Sequence, residues 1–258
     1  MPKKAAAAKQ LLDAVSNRTS TTPLTNEWPE LDVETGYDIQ QVVLAERYKQ
    51  GAVLVGAKLG LTSNAKQEQT NVNEPGYGFL TSDMRIDPGE AVDTSRFIQP
   101  RVEPEIAFVL GRDLEGPHIG AADVIAATEL VCPAVEVIDS RYAGYKFTLP
   151  DVIADNSSSA GFVLGGTGIS PIGVDLRLIG CAFYVNGDLV ATAAGASLLG
   201  HPAASVSWLV RKLAKRGEGL KAGMVVFAGA MTEAKAVKPG DSVVAAFDRL
   251  GTVEFGCI

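Results

Sequence analysis

The stretch "RVEPEIAFVL", residues 101 to 110, sets two acids, Glu103 and Glu105, into an otherwise apolar run. Such a run reads as a buried strand, whose successive side chains alternate between two faces. Val102, Pro104, Ile106, Phe108 and Leu110 then share one face, and Glu103 and Glu105 share the other with Ala107 and Val109. The two acids stand roughly 7 Å apart at their Cα atoms, given a rise of about 3.3 Å per residue, and their oxygens can converge further. Like charges that close raise each other's pKa or require a cation between them. Glu136, in "AVEVIDS", repeats the pattern between Val135 and Val137 on a second predicted strand. Three carboxylates with no accompanying His or Cys cluster suit a hard, oxygen-preferring ion such as Mg²⁺ or Mn²⁺. On spacing alone, glutamates pointing outward into water fit equally well, and both readings stay open at this point.

Other residues carry weaker signals. Lys58 lies in the apolar "VGAKLGLTS", where a lone lysine is ordinarily a charge on a sheet edge. Asp83, in "FLTSDM", reads as a turn residue. "DVIADNSSS" gathers Asp155, Asn156 and Ser158 in a loop of local side-chain caps. His118 and His201 sit beside proline or glycine and read as structural. No Gly-x-Gly-x-x-Gly, Walker or Gly-x-Ser-x-Gly sequence occurs, which argues against nucleotide binding and a Ser-His-Asp hydrolase.

These residues need a scaffold, and the 258-residue chain is long enough for one large domain, with 47% apolar residues to fill a core. A net charge of −7 disfavours nucleic acid as the main partner and means that an anionic substrate needs a local positive centre. Cys132, Cys181 and Cys257 have no metal-ligand spacing and fit a reduced, cytoplasmic setting. No run of 18 apolar residues occurs, so no membrane span is expected. Leu11, Leu12 and Val15 place a helix over 4 to 17; Ile39, Val42 and Val43 place another from about 32 or 35 to 50, stopped at Gly51. "AVLVGAKLGLT" reads as a strand. Strands are then expected at 101 to 110, in "CPAVEVID", and at 160 to 164, 178 to 186, 224 to 229, 242 to 247 and 252 to 256. "VNGD" and "KPGD" supply turns, and a helix lies within "GHPAASVSWLVRKLAKRGEG". The division expected is an N-terminal helical region over 1 to 80, packed on a catalytic core over 81 to 258. The class is α+β, not the regular alternation of a doubly wound sheet.

The segments "GAKLGLTS", "YGFLTSDM", "RVEPEIAFVLGRDLEGP", "PAVEVIDSRY", "VIADNSSSAGFVLGG", "LLGHPAASVSWL" and "KPGDSVVAAFDRLGTV", in that order, resemble the hydratase and decarboxylase branch of the fumarylacetoacetate hydrolase superfamily. The resemblance runs from about residue 30 to the end. It implies a strand-rich β roll, with Mg²⁺ or Mn²⁺ on Glu103, Glu105 and Glu136. It also implies catalytic roles for Lys58 and Asp83, and substrate contacts from Arg141, Asp155, Asn156 and Ser158. The superfamily's hydrolases work with a His–Glu pair ahead of the Glu-x-Glu strand; no histidine precedes His118 here, which disfavours hydrolysis. "YGFL" and "DSRYAGYKFTLPDVIADN" resemble the decarboxylases, whereas the Asp-Met ending of "FLTSDM" resembles the hydratases. The leading expectation is decarboxylation of 2-oxohex-3-enedioate to 2-hydroxypenta-2,4-dienoate in meta-cleavage degradation of aromatic compounds. The alternative is 2-oxopent-4-enoate hydratase. A non-catalytic assembly partner would be expected to have lost a metal glutamate or the lysine, and this chain keeps all four. Expected partners are a small 2-oxo dicarboxylate and either further copies of the chain or a pathway hydratase.

Overall fold

The computed structural model describes residues 2–62 and 74–258, so Ser63 of "GAKLGLTS" lies outside the described residues. Helix α1 (Pro2–Asn17) turns Ala7, Ala8, Leu11 and Ala14 inward. It packs against α2 (Val33–Lys49), whose first turn is capped by Asp32 accepting from the Thr35 amide at 2.7 Å. Arg47 and Lys49 occupy the last turn of α2, where the helix dipole favours cations. Gly51, at φ +96°, reverses the chain as expected.

The large sheet carries the candidate acids. Its strands are β1 (Leu54–Gly60), β2 (Gly76–Thr81), β3 (Arg85–Ile86), β4 (Arg101–Leu110), β5 (Thr128–Ile138), β6 (Ser159–Leu164), β9 (Val225–Ala230) and β10 (Lys235–Ala236). They lie in the order β2-β1-β9-β4-β5-β6-β3, with β10 pairing to β4. A second sheet orders β12 (Gly251–Gly256), β11 (Ser242–Phe247), β7 (Gly180–Val185) and β8 (Asp188–Ala194). Asn186 and Gly187 close the β7–β8 hairpin with φ of 55° and 83°, the left-handed pair that a two-residue turn requires. Short helices α3 (Ala121–Ala127) and α4 (Leu149–Ala154) precede α5 (Pro202–Ala214), which buries Val206, Leu209, Val210 and Leu213.

Strand β4 divides the interior as its alternation demands. Val102, Ile106, Phe108 and Leu110 join the main core with α5 and with Phe183, Val243, Ala245 and Phe247 of the second sheet. On the other face Ala107 packs in a smaller cluster with Leu80, Ala134, Phe162 and Phe227. Glu103 and Glu105 project on that second side.

An N-terminal helical region does not extend to residue 80. The helices end at Lys49, and β1 and β2 are strands of the large sheet, β1 parallel to β9 far along the chain. Strand β2 escaped sequence reading because "GYGFLT" begins with two glycines in three residues. The half-exposed β8 has no full apolar face, and the six-residue α4 is too short for helical periodicity.

Candidate metal centre

The acids meet because of strand register. Antiparallel pairing of β4 and β5 sets Glu103 directly across from Glu136, and Glu105 across from Ala134. One oxygen from each of Glu103, Glu105 and Glu136 lies within 4.8 Å of the others, and all three residues are buried. On the opposite flank β9 lies against β4 and donates the Gly229 amide to Glu105 Oε2 at 2.7 Å. Gly229 has φ +112°, and a Cβ there would stand 2.0 Å from Thr62 Oγ1, so only glycine lets this amide reach the carboxylate.

Lys58 comes from β1, one strand beyond β9. Its Nζ lies 2.9 Å from Glu136 Oε2 and donates to the Ser157 carbonyl at 3.0 Å, with the side chain 3% exposed. The lysine is therefore an internal counter-charge and not an edge residue. Burial alone would lower its pKa, but Glu136, Glu105 and Glu103 outweigh that and hold the ammonium above its ordinary value. Glu105 is driven well above the usual carboxylate range, by burial first and by Glu136 second. Burial also raises Glu136, against the pull of Lys58.

This arrangement fits a divalent cation on three counts. The donors are all carboxylate oxygens, the set preferred by Mg²⁺ and Mn²⁺. Among the described residues three carboxylates face the Lys58 ammonium, a surplus of acid groups that suits a dication. Glu105 Oε1 is buried with no hydrogen-bond partner among the described residues, a state a ligated ion would relieve.

Above the acids is a cavity of about 390 Å³. Its lining includes Lys58, Glu103, Ser157 and Ser158, with Ile138, Phe147 and Val152 as apolar wall. Asn156, Ser157 and Ser158 hold φ values of 50°, 50° and 59° in succession, a left-handed run that non-glycine residues adopt only under constraint. The constraint comes from behind. The Asn156 amide mimics a strand by accepting from Phe79 N at 2.8 Å and donating to Phe79 O at 2.9 Å. The Arg141 guanidinium clamps Asp155 through its carboxylate and its carbonyl, and Arg141 N donates to Asp155 Oδ2 at 3.1 Å. Burial pushes the Asp155 carboxyl up to about 6 in spite of Arg141.

The nine residues singled out in the sequence thus separate. Lys58, Glu103, Glu105 and Glu136 come together, and Ser158 lines the same cavity with its hydroxyl buried and unpartnered among the described residues. Arg141, Asp155 and Asn156 form the frame that shapes the serine loop and do not line that cavity. Asp83 does not reach it either. Half-exposed, it pairs with Arg47 at 2.5 Å and faces a separate hollow of about 230 Å³ beside α1. The reason is chain direction: the 3-10 turn Ser82–Met84 bends away at the end of β2. Sequence reading missed Arg101 and Tyr145 on the cavity wall, whereas Ser157 belongs to the "ADNSS" loop that the resemblance placed there. The period-two rule that found Glu103 and Glu105 extends to Arg101 without further information. His201 caps α5, its Nδ1 accepting from Ala203 N at 3.0 Å, as the structural reading of that histidine expected.

A mixed, rolled sheet holding three converging glutamates over a lysine defines a metal-binding α+β enzyme scaffold. Residues 46–256 match the family described as fumarylacetoacetate (FAA) hydrolase C-terminal, and the chain belongs to that family. It is similar to a 4-oxalocrotonate decarboxylase of Pseudomonas sp. (strain CF600), 43% identical over 230 residues that cover 89% of this chain and 87% of the relative. A 2-keto-4-pentenoate hydratase of Paraburkholderia xenovorans (strain LB400) is 40% identical over 247 residues, covering 96% and 92%. The structure of 4-oxalocrotonate decarboxylase from Pseudomonas putida G7, complexed with magnesium and adipate, superposes with a TM-score of 0.96. It is 40% identical, over 100% of this chain and 98% of that one. No helix among the described residues is long and apolar enough to cross a membrane.

Proposed function

We propose that this chain is a divalent-metal-dependent carbon–carbon lyase that converts 2-oxohex-3-enedioate to 2-hydroxypenta-2,4-dienoate and CO₂. The observation that carries the reading is the convergence of Glu103, Glu105 and Glu136 within 4.8 Å beneath a cavity. The likeness to decarboxylases, one of them holding magnesium and a six-carbon dicarboxylate, supports the substrate class.

Chemically, the C5–C6 bond of the substrate breaks. Its electrons form the C4=C5 bond, the C3=C4 pair moves to C2–C3, and the C2 carbonyl oxygen ends as an enolate that takes one proton. A bound divalent ion supplies Lewis acidity at the 2-oxo acid end, and Glu103, Glu105 and Glu136 would hold it. Lys58 keeps its proton under the field of the acids and places a second positive charge in the same cavity, fixed by Glu136 and the Ser157 carbonyl. The Ser158 hydroxyl, buried without a partner among the described residues, is a ready donor to a substrate oxygen. Ile138, Phe147 and Val152 exclude water from part of the wall, which favours loss of a carboxylate as neutral CO₂.

The second reading, hydration of 2-hydroxypenta-2,4-dienoate, is favoured by the 40% identical hydratase and uses the same ion site. Purified protein with Mg²⁺ and each substrate separates the two by CO₂ release and dienol absorbance. Turnover of the pentadienoate with none of the hexenedioate overturns the decarboxylase reading. Glu105→Gln is expected to lose metal-dependent turnover, and a fully active variant refutes the ion assignment. The same reading carries a cytoplasmic enzyme with reduced cysteines, working as a homo-oligomer or with the hydratase that consumes its product.

A further inference from the structure

We propose that Arg101 binds the distal carboxylate of the substrate and sets a preference for dicarboxylates over monocarboxylates; this rests on the decarboxylase reading above. Arg101 is two residues before Glu103 on the same face of β4, roughly 7 Å away along the strand. It lines the same cavity, half-buried. Its guanidinium carbon sits 4.0 Å over the centre of the Tyr145 ring. Tyr145 is itself held by its hydroxyl, which donates to the Ile138 carbonyl at 3.0 Å. Stacking fixes the guanidinium plane and leaves its N–H edge free to take a carboxylate in a two-point contact.

No carboxylate among the described residues lies within ion-pair distance of Arg101, whereas the buried Lys58 and Arg141 both have one. Among the described residues the other charged groups of the lining are Lys58 and Glu103 at the acid end, and the exposed Glu233. The cavity is therefore bipolar. One end is built for the 2-oxo acid and the other presents a pre-oriented cation on an aromatic platform. A six-carbon dicarboxylate places an anion at both ends, and a five-carbon monocarboxylate leaves the arginine unanswered.

The role differs from catalysis in a measurable way. Arg101 stabilises a charge that disappears as the carboxylate leaves, so it holds the ground state at least as firmly as the transition state. Arg101→Gln is expected to raise KM for the hexenedioate by about ten- to hundredfold, the range of a charge-assisted hydrogen bond, with kcat equal or higher. Arg101→Lys should recover part of the loss. Calorimetry on Mg²⁺-loaded protein provides a test independent of turnover, using adipate and pentanoate as probes. Wild type is expected to bind adipate at least about tenfold more tightly, and Arg101→Gln to abolish that difference while binding Mg²⁺ normally. If wild type discriminates and the variant does so equally, Arg101 is not the determinant and the decarboxylase reading stands. If wild type does not discriminate, the dicarboxylate reading itself fails. A variant whose kcat falls while KM holds also overturns the assignment.

Discussion

Replacing Lys58 by methionine tests the electrostatic logic of the site without any substrate. The lysine is 3% exposed and its partner Glu136 fully buried, so the variant keeps the packing volume but removes the only ammonium paired with the acids among the described residues. Breaking a buried pair by deleting one partner costs about 3–5 kcal/mol. The protein can limit that cost by taking up a proton. For a glutamate with an ordinary value of 4.5, protonation at pH 7 costs about 3.4 kcal/mol, at 1.36 kcal/mol per unit. The metal-free variant should therefore lose about 3 kcal/mol, which for a chain of this size lowers Tm by about 6–12 °C. Its folded state binds more protons than its unfolded state, so its deficit grows as pH rises and shrinks by about 1.4 kcal/mol per unit toward pH 5. Mg²⁺ should raise its Tm by more than it raises that of wild type, because the dication then replaces the positive charge that Lys58 supplied. Thermal unfolding in EDTA and in Mg²⁺ at pH 5, 6 and 7 measures all of this. A metal-free variant that melts within about 2 °C of wild type at pH 7 would refute the claim that Lys58 neutralises the triad.

Three further substitutions probe the frame. Asp83→Asn should leave turnover within about twofold and stability within about 1 kcal/mol, since an exposed ion pair outside the cavity contributes little; a loss of activity above tenfold would return Asp83 to the machinery. Asp155→Asn strands the buried Arg141 guanidinium and should cost about 3–5 kcal/mol in urea unfolding, while Mg²⁺ affinity in the surviving folded protein stays near that of wild type. Gly78→Ala would set a Cβ 2.4 Å from the Asn156 carbonyl, forcing the loop off β2. It should lower stability by about 1–3 kcal/mol and kcat by a larger factor than stability explains, read by melting and steady-state rates. Unchanged kcat in that variant would show that the left-handed serine run need not be held in place.

Much of the centre was legible in local sequence. Alternation along residues 101 to 110 is a property of one strand, so Glu103 and Glu105 on a common face followed from covalent geometry alone, and Arg101 was available by the same rule. The bounds of β4, the turn at Asn186 and Gly187, and the inward stripe of α5 were likewise local, set by period and by residues that tolerate positive φ. Glu136 joined the pair through the same pattern on a second apolar strand, and family resemblance added Lys58 together with Asp83, Arg141, Asp155 and Asn156, the last four of which stand apart from the cavity. Those placements share a cause: a motif names residues near a site in the chain, whereas strand direction and loop conformation decide which side they face. Only the tertiary structure set Glu136 across from Glu103, because strand register is a contest between non-local pairings that no single segment encodes. The contact that carries Lys58 to the acids is likewise non-local, the parallel pairing of β1 with a strand some 170 positions later. The tertiary structure also turned Ser157 and Ser158 inward, since their left-handed backbone is imposed by Phe79 and Arg141 and not preferred by serine itself.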